Sequence, residues 1–443
     1  MGLFSRSKKS ESRPQPSEED DFEDDQVLFQ GAMSGVETDL ETHQKLVRVG
    51  LPRAKALVSD ALARRAEKLR IDPKGKAAQV ALYVDGMPFS GGRLSVQEAM
   101  AITQVLKLFA GLDPGNRTEP QRGGIHAEFQ EQKYELGVES QPLRTGGERL
   151  SVRMLNTALR VDTPTEAGFS DSLRELIREE SSHKSGLILV AGTPDSGLST
   201  TALATLRSID AYLSNIYNLA DLNGREIIHV TNFDEDEVEV AASTLDQKLA
   251  RTIRKEADVA FVDPIDAESA PVVLEGSEEI CIVGEMAAAG AAAGVLQFAE
   301  WVGSAEKAAG AIRLVLSPKL IRKLCTDCRE AYRPNARLLQ KVGLPDKTPA
   351  LYRQPFNVDE ETGQKSPVAC LTCGGLGYYG RTVMVEVIRM TDRMRQVLIE
   401  GGSVADLKAV AREEEMDSLR TEGIRVVAAG LTSLEELQRT FKS

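Results

Sequence analysis

Long apolar runs are missing from this chain of 443 residues. The longest charge-free apolar stretch, Met286 to Ala299, is rich in alanine and glycine and falls short of the ~18–20 residues a helix needs to cross a bilayer. A secretory signal is missing too, because Met1-Gly2-Leu3-Phe4 leads straight into Arg6, Lys8 and Lys9 with no apolar core. Myristoylation at Gly2 is set aside, since the position that should be Ser or Thr is Arg6. The chain is therefore expected to be cytoplasmic. Positive charge is not in excess: a net charge of -13 argues against nucleic acid as a general partner. Cysteine is limited to five residues and histidine to four, His43, His126, His183 and His229, with none further on. What remains is ordinary. Hydrophobic residues at 42% and charged residues at 27% suit a soluble protein, and the length allows about three domains with sizeable cores.

The chain is organised around Gly192-Thr193-Pro194-Asp195-Ser196-Gly197-Leu198-Ser199-Thr200, which follows the apolar run Leu187-Ile188-Leu189-Val190-Ala191. That run reads as a buried parallel strand, and Ala202, Leu203, Leu206, Ile209 and Leu213 recur at helical spacing after the loop. Strand, glycine-rich loop and helix form the outline of a phosphate-binding loop, G-x-x-x-x-G-K-[ST]. Its backbone N–H groups face the phosphates, its Lys bridges the outer phosphates and its hydroxyl holds magnesium. Gly192, Gly197 and Ser199 stand in register, but the Lys position is Leu198. Asp195 adds an anion where phosphates would sit, and Pro194 removes a backbone donor. A charge-assisted hydrogen bond is worth about 1.5–3 kcal/mol, so losing more than one weakens nucleotide binding by orders of magnitude. Taken alone, the stretch also reads as a glycine-rich turn that binds nothing.

Residues 1–45 run from a basic tip into Glu18-Glu19-Asp20-Asp21-Phe22-Glu23-Asp24-Asp25, an acidic tail expected to be disordered, with Val27-Leu28-Phe29 as a candidate partner-binding segment. Residues 50–155 read as a compact α+β domain. One helix carries Leu51, Ala54, Leu57, Val58, Ala61 and Leu62 on a single face; strands follow at 69–72 and 78–84, closed by Asp85-Gly86. A second helix, Val96–Phe109, stops at Ala110-Gly111, and further strands run over 125–129, 134–138 and through Val152 and Leu155. Residues 156–172, with Asp162-Thr163-Pro164-Thr165, read as a linker. Residues 173–320 alternate strands and helices, as a mostly parallel sheet requires: strands at 216–219 and 227–230, a helix near 243–256, strands at 259–262 and 280–283, and an Ala-rich helix from Ala287.

Several fragments, taken in order, resemble the secretion ATPase superfamily, the motors of type II secretion and type IV pilus assembly. They are Asp85-Gly86, Ala110-Gly111-Leu112-Asp113 with Pro120-Gln121, Gly147-Glu148 with Arg153, Gly186 to Val190, the loop itself, Leu320 to Cys328, and Gly377-Tyr378-Tyr379-Gly380-Arg381-Thr382. The resemblance covers residues 50–443. It implies a PAS-like domain ahead of a RecA-like P-loop core, assembly as a hexamer, ATP with Mg2+ as cofactor, and action on an inner-membrane platform protein. That places the chain at the inner face of the bacterial inner membrane.

The departures from the family pattern fall where the chemistry should be. Pro264 stands at the Glu of the family's Gly-Glu-Ile-Arg-Asp run, leaving Asp258, Asp263 and Asp266 as nearby acids; no His-containing segment follows the next strand. Gly137 replaces a family Arg while Arg144 and Arg153 remain, and Asp221 is the one acid left in a Glu-Asp-Pro box that here reads Ala220-Asp221-Leu222. Phosphoryl transfer depends on such electrostatic positioning. The resemblance therefore implies a homologue that turns over ATP weakly or not at all: a pseudo-ATPase serving as a structural or regulatory subunit, in a homo-hexamer or beside active relatives. An active motor with substituted catalytic groups, drawn from Asp221, Asp258 and Asp263, is one alternative. A sensor that binds nucleotide through Gly192, Gly197, Ser199 and Thr200 without hydrolysis is another.

Cys325-x-x-Cys328 and Cys370-x-x-Cys373 offer four thiolates in the arrangement of a closed tetrahedral site for structural Zn2+. Disulfides are the competing account, disfavoured in a cytoplasmic chain. Cys281, alone in an apolar run, reads as an inert core residue. Within the zinc-binding segment, 321–385, the excursion between the knuckles, Arg329 to Ala369, is expected to be mainly loop with a short helix near Leu338 to Val342. Residues 386–443 are expected to be helical, with Ser403-x-x-Asp406 and Thr432-x-x-Glu435 as capping boxes.

Overall fold

The computed structural model describes residues 26–144, 146–159, 161, 163–222, 227–233, 244–344, 348–359 and 361–442. The acidic stretch 18–25, Asp162 and Ser243 lie outside the described residues. The chain divides into two compact units, residues 1–160 and 161–443.

The first unit runs β1 (Leu28–Ala32), α1 (Gln44–Ala63), β2 (Lys68–Lys74), β3 (Ala77–Val84), β4 (Met87–Ser95), α2 (Val96–Phe109), β5 (Gln121–Phe129), β6 (Gln132–Pro142) and β7 (Glu148–Asn156). The strands form one antiparallel sheet in the order β1-β5-β6-β7-β2-β3-β4. Alternation along the strands buries Leu69, Ile71, Val80, Leu82, Ile125, Leu136 and Val152. Helix α2 has the bounds its sequence announces. Ser95 and Glu98 form a capping box at its start, and Gly111, at φ +71°, follows its end. Helices α1 and α2 meet closely at Gly50, where a Cβ would lie 2.7 Å from the Ala101 carbonyl oxygen. Lys107 on α2 is fully buried, and its ammonium donates to Glu148 at 2.8 Å and to the Asn116 carbonyl at 2.5 Å. Glu148, part of the family-like Gly147-Glu148 fragment, is thereby engaged inside its own unit.

Three features depart from the sequence expectations. Residues 28–32, expected within a disordered tail, form β1 against β5: Val27 and Phe29 are buried, and the Phe29 ring lies 5.5 Å from that of Phe109. Strand β4 is an exposed edge interrupted by Gly91-Gly92, so it shows no apolar alternation. The expected linker 156–172 contains a 3-10 turn at Thr157–Leu159, a short capped helix α3 (Pro164–Ala167) and the start of α4 (Asp171–Ser181).

The second unit continues with β8 (Gly186–Gly192), α5 (Leu198–Ser208), β9 (Ile216–Asn218), β10 (Thr231–Asn232), α6 (Leu245–Arg254), β11 (Val259–Val262), α7 (Ala270–Gly276), β12 (Cys281–Ala287), α8 (Ala291–Val302), α9 (Ala305–Ala311) and β13 (Ile312–Leu324). Then come β14 (Glu330–Tyr332), α10 (Ala336–Val342), β15 (Leu351–Arg353), β16 (Phe356–Val358), β17 (Lys365–Pro367), β18 (Tyr378–Arg389), α11 (Asp392–Ile399), α12 (Val404–Glu413), α13 (Leu419–Ala428) and α14 (Leu434–Lys442). The main sheet has the order β10-β9-β11-β12-β8-β13-β18, parallel throughout except for the last pair. Residues 227–230, expected as a strand, precede the short β10 instead. Both faces of the sheet are covered, which is why β8 and β11 are buried at every position.

Strands β13 and β18 form a long antiparallel hairpin that runs through the expected boundaries at 320 and 385. Ser403 and Asp406 form the expected capping box of α12. At α14, by contrast, the capping hydroxyl is Ser433, which accepts from the Glu436 N–H, while Thr432 donates to the Arg322 carbonyl. Among the described residues no helix is long and apolar enough to cross a membrane.

Candidate functional site

The loop 192–200 leaves the carboxyl end of β8, which lies between β12 and β13. In open α/β sheets that edge is where ligands bind. The backbone keeps the shape of a phosphate cradle: Ser196 N–H donates to the Thr193 carbonyl, Asp195 and Gly197 adopt φ +65° and +90°, and Thr201 N–H donates to the Gly197 carbonyl to begin α5. Thr193, Pro194, Asp195 and Ser199 are exposed, whereas Ser196, Gly197, Leu198 and Thr200 are half-buried.

The side chains make the cradle apolar. Leu198 and Leu320 pack against the core cluster that contains Ile188, Val190 and Leu316. A Cβ on Gly192 would lie 2.7 Å from Ser196 Oγ and 3.3 Å from a Leu198 methyl; one on Gly197 would lie 2.9 Å from a Leu320 methyl. Gly197→Ala is therefore expected to lower stability by about 1–2 kcal/mol through its left-handed backbone. Urea denaturation checks this; a loss of only about a few tenths of a kcal/mol would mean the loop simply relaxes.

The acids named from sequence are scattered. Asp258 precedes β11, at the amino end of the sheet, where it accepts from the Asn215 N–H and pairs with Lys184, both at 2.9 Å. Burial works against ionisation there, but those partners outweigh it and hold the carboxyl below its usual range. Asp266 accepts the N–H groups of Glu268 and Ser269, which lower its pKa and tie off the turn before α7. Asp221 is exposed beyond β9, and Pro264 is exposed with a cis bond from Asp263. Asp263 alone of these acids directly follows β11, the strand beside the loop strand's neighbour, β12.

One residue beyond the last pair of that ladder, Val262 with Gly284, the neighbour of Asp263 is Glu285, which the sequence reading passed over. Strand β12 pairs Glu285 with Val190 of β8, and the Glu285 carbonyl accepts from the Ile265 N–H at 2.8 Å. Glu285 is only 5% exposed, and its Oε2 is buried without a hydrogen-bond partner. Burial, followed by the Asp263 carboxyl beside it, pushes the Glu285 carboxyl up to about 8, while the Ser199 hydroxyl pulls the other way. Its signal in sequence was that it is the one charge between Ile280 and Ala299.

In the first unit, Arg153 is exposed on β7 and stands directly across from Gly137 of β6. The arginine expected at Gly137 would have been its cross-strand neighbour, so the substitution leaves one cation where two would have stood side by side.

The four cysteines meet at the far end of the β13–β18 hairpin. Cys325 follows β13 and Cys373 precedes β18, and the Cys325 N–H bond to the Gly377 carbonyl continues the ladder past Leu324. All four Sγ atoms lie within 4.8 Å of one another, with Cys325–Cys370 at 3.9 Å and Cys328–Cys373 at 3.7 Å. A disulfide requires about 2.05 Å, whereas tetrahedral zinc–thiolate bonds of about 2.3 Å place sulfurs roughly 3.8 Å apart. The donor set therefore fits a metal ion. Gly377 N–H donates to Cys373 Sγ at 3.2 Å, and the N–H of Cys373 helps draw the Cys370 thiol down to about 7. Cys281, buried on β12, is pushed up to about 12 by burial and takes no part.

A family model described as "Type II/IV secretion system protein" matches residues 45–439. Among characterised proteins the chain is similar to the type IV pilus assembly ATPase PilB of Thermus thermophilus, 26% identical over 418 residues that cover 92% of this chain and 44% of that protein. It is also similar to PilB of Pseudomonas aeruginosa, 27% identical over 392 residues, covering 87% of this chain and 66% of that protein. The chain thus spans about half to two thirds of the length of these relatives. Type II secretion system protein E of Klebsiella pneumoniae is 26% identical over 388 residues, covering 87% and 74%. Among solved structures the Legionella pneumophila ATPase DotB aligns with a TM-score of 0.49 at 14% identity, covering 87% of this chain and 94% of that one.

Proposed function

The chain belongs to the type II/IV secretion system protein family, and from that premise we propose that it is a pseudo-ATPase subunit of a pilus or type II secretion assembly machine. The observation that carries this reading is Leu198. It occupies the position of the phosphate-binding Lys and turns its side chain into the core of its own unit. On this reading the first unit is the PAS-like domain and the parallel sheet is the RecA-like core. The subunit works in a homo- or hetero-hexamer, at the cytoplasmic face of the inner membrane beside a platform protein. The relatives' names, which speak of pilus assembly ATPases and secretion proteins, support that setting. Cys325, Cys328, Cys370 and Cys373 hold structural Zn2+, which closes the hairpin extension without an open coordination position.

What the residues do follows from charge. Backbone N–H groups of the loop and the hydroxyls of Ser199 and Thr200 still offer hydrogen bonds to an anion, but no cation within the loop offsets the phosphates, and Asp195 adds to the repulsion. Calorimetric titration of the purified protein with ATP and Mg2+ is expected to show no binding below millimolar nucleotide. Leu198→Lys is expected to tighten binding by about tenfold or more. Sub-millimolar affinity in the unaltered protein, with steady phosphate release, would overturn the proposal. It would favour instead an active motor in which Glu285, titrating near neutral pH, serves as general base. Binding without release would leave the nucleotide-sensor reading.

A further inference from the structure

We propose that the acidic segment 18–25 folds back, within its own chain, onto the helix-free face of the first unit's sheet, where a group of cations receives it. This contact is independent of how the loop 192–200 treats nucleotide.

The face is set by strand alternation. Helix α2 packs against β2, β3, β5 and β6 on the side that buries Leu69, Val80, Ile125 and Leu136, so the alternate residues point away from the helices. In register across β7, β2 and β3 stand Arg153, Lys68 and Tyr83, and in the next row Ser151, Arg70 and Ala81. Arg149 follows on β7, and Arg93 of β4 lies opposite Gln79 of β3. Lys68 and Arg70 both lie against the Tyr83 ring, at 5.6 and 5.5 Å. The one acid on this face of β7, β2, β3 and β4 is Asp72, which Arg70 and Arg149 share at 2.6 and 2.5 Å. Toward β5 and β6 the face becomes mixed, with Arg122 paired to Glu139, and with Lys133 and Glu135 on β6. The excess of positive charge is thus confined to β7, β2, β3 and β4.

Strand β1 delivers the acidic segment to that face. Val27 is fully buried and its N–H donates to Ser59 Oγ at 2.8 Å, so the backbone is pinned two residues after Asp25. Leu28, paired with Glu128, alternates onto the helix-free face. From β1 the sheet order counts β5, β6, β7 and then β2. With the offset along the strands, Leu28 and Lys68 are about 23 Å apart, at ~4.8 Å per strand and ~3.3 Å per residue. Eight extended residues reach about 26 Å. All of residues 18–25 except Phe22 are acids, so any register across the face brings carboxylates to Arg153, Lys68 and Arg70. Exposed ion pairs are individually weak, but so short a tether holds the carboxylates at about millimolar effective concentration. An anion drawn to this face from outside must displace the segment, which makes it a built-in competitor.

Carbodiimide cross-linking of the full chain, read by peptide mass spectrometry, joins only a carboxylate and an amine in contact. Lys68 is expected to couple to residues 18–25 about fivefold or more above Lys45 and Lys55 of α1, and salt at about 1 M is expected to abolish the difference. In a mixture of 15N-labelled and unlabelled protein the products should stay within one isotope. Replacing the acids of 18–25 by Asn and Gln is expected to raise acetylation of Lys68 about threefold and to leave Lys45 and Lys55 unchanged, with melting curves to confirm that the variant folds. Coupling at Lys68 no greater than at Lys45 and Lys55, or acetylation of Lys68 indifferent to the acids, overturns the docking. Mixed-isotope products would make a second copy the donor of the segment and overturn the contact within one chain.

Discussion

Replacing Cys373 with serine is expected to strip the protein of zinc, from about one equivalent to none, and to release residues 325–377 while leaving the seven-stranded sheet in place. The reason lies in how the segment is held. Among the described residues between the two cysteine knuckles there are only short elements: the β14–β15 and β16–β17 pairs, of three residues per strand, and helix α10. Such pairs are not stable alone. Around the cluster, Arg329 stacks 4.3 Å from the Tyr352 ring and donates to the Gly430 carbonyl, while Leu339, Leu344 and Leu351 join a small core with α13 and α14. Structural zinc contributes roughly 10–16 kcal/mol at neutral pH in small metallo-domains, which makes it the largest single term available to this segment. Metal analysis and hydrogen exchange check the expectation together. Chelation should raise exchange over 325–377 and spare β8, β11 and β12. One equivalent of zinc retained by Cys373→Ser, or unchanged exchange on chelation, would remove the metal from the account.

That cluster was legible because ligand chemistry is written locally: two CxxC pairs specify four thiols whatever lies between them. Helix α2 was legible for the same kind of reason, with Ser95 and Glu98 marking its start and Gly111 its end. The glycine-rich loop showed itself through the change from an apolar run to helical spacing. What escaped was decided by pairing across distance. Strand β1 exists because β5 accepts it, and no composition of residues 26–32 declares that partner. The β13–β18 hairpin joins residues on either side of the long excursion, so boundaries drawn at 320 and 385 cut both strands. Glu285 escaped because the acid was sought on β11, the strand the family motif names, whereas the sheet order sets β12 between β11 and the loop strand. A lone acid in an apolar strand was the available sign, and only the register turned it into a neighbour of Asp263.

The stability of the unaltered protein is expected to fall between about pH 5 and pH 8 through Glu285, and Glu285→Gln should abolish that component. The folded state pushes this carboxyl from its ordinary 4.5 up to about 8, burial first and Asp263 second. Between those values the folded protein holds a proton that the unfolded chain has released, so the unfolded state binds fewer protons and stability declines as pH rises. The contribution is fully present below the ordinary value and lost as pH climbs through the folded one. The slope approaches ~1.4 kcal/mol per pH unit, and the whole component is on the order of 5 kcal/mol before relaxation of the site. Glutamine keeps the shape and the hydrogen-bonding capacity of the neutral carboxyl without the ionisation. The two proteins should therefore unfold at similar urea concentrations near pH 5, and the glutamine variant should be the more stable at pH 8.5. Parallel curves across that range would mean that Glu285 ionises in the fold at its ordinary value, with water or a cation compensating it. The buried edge beside the loop would then be far more hospitable to charge than its burial implies.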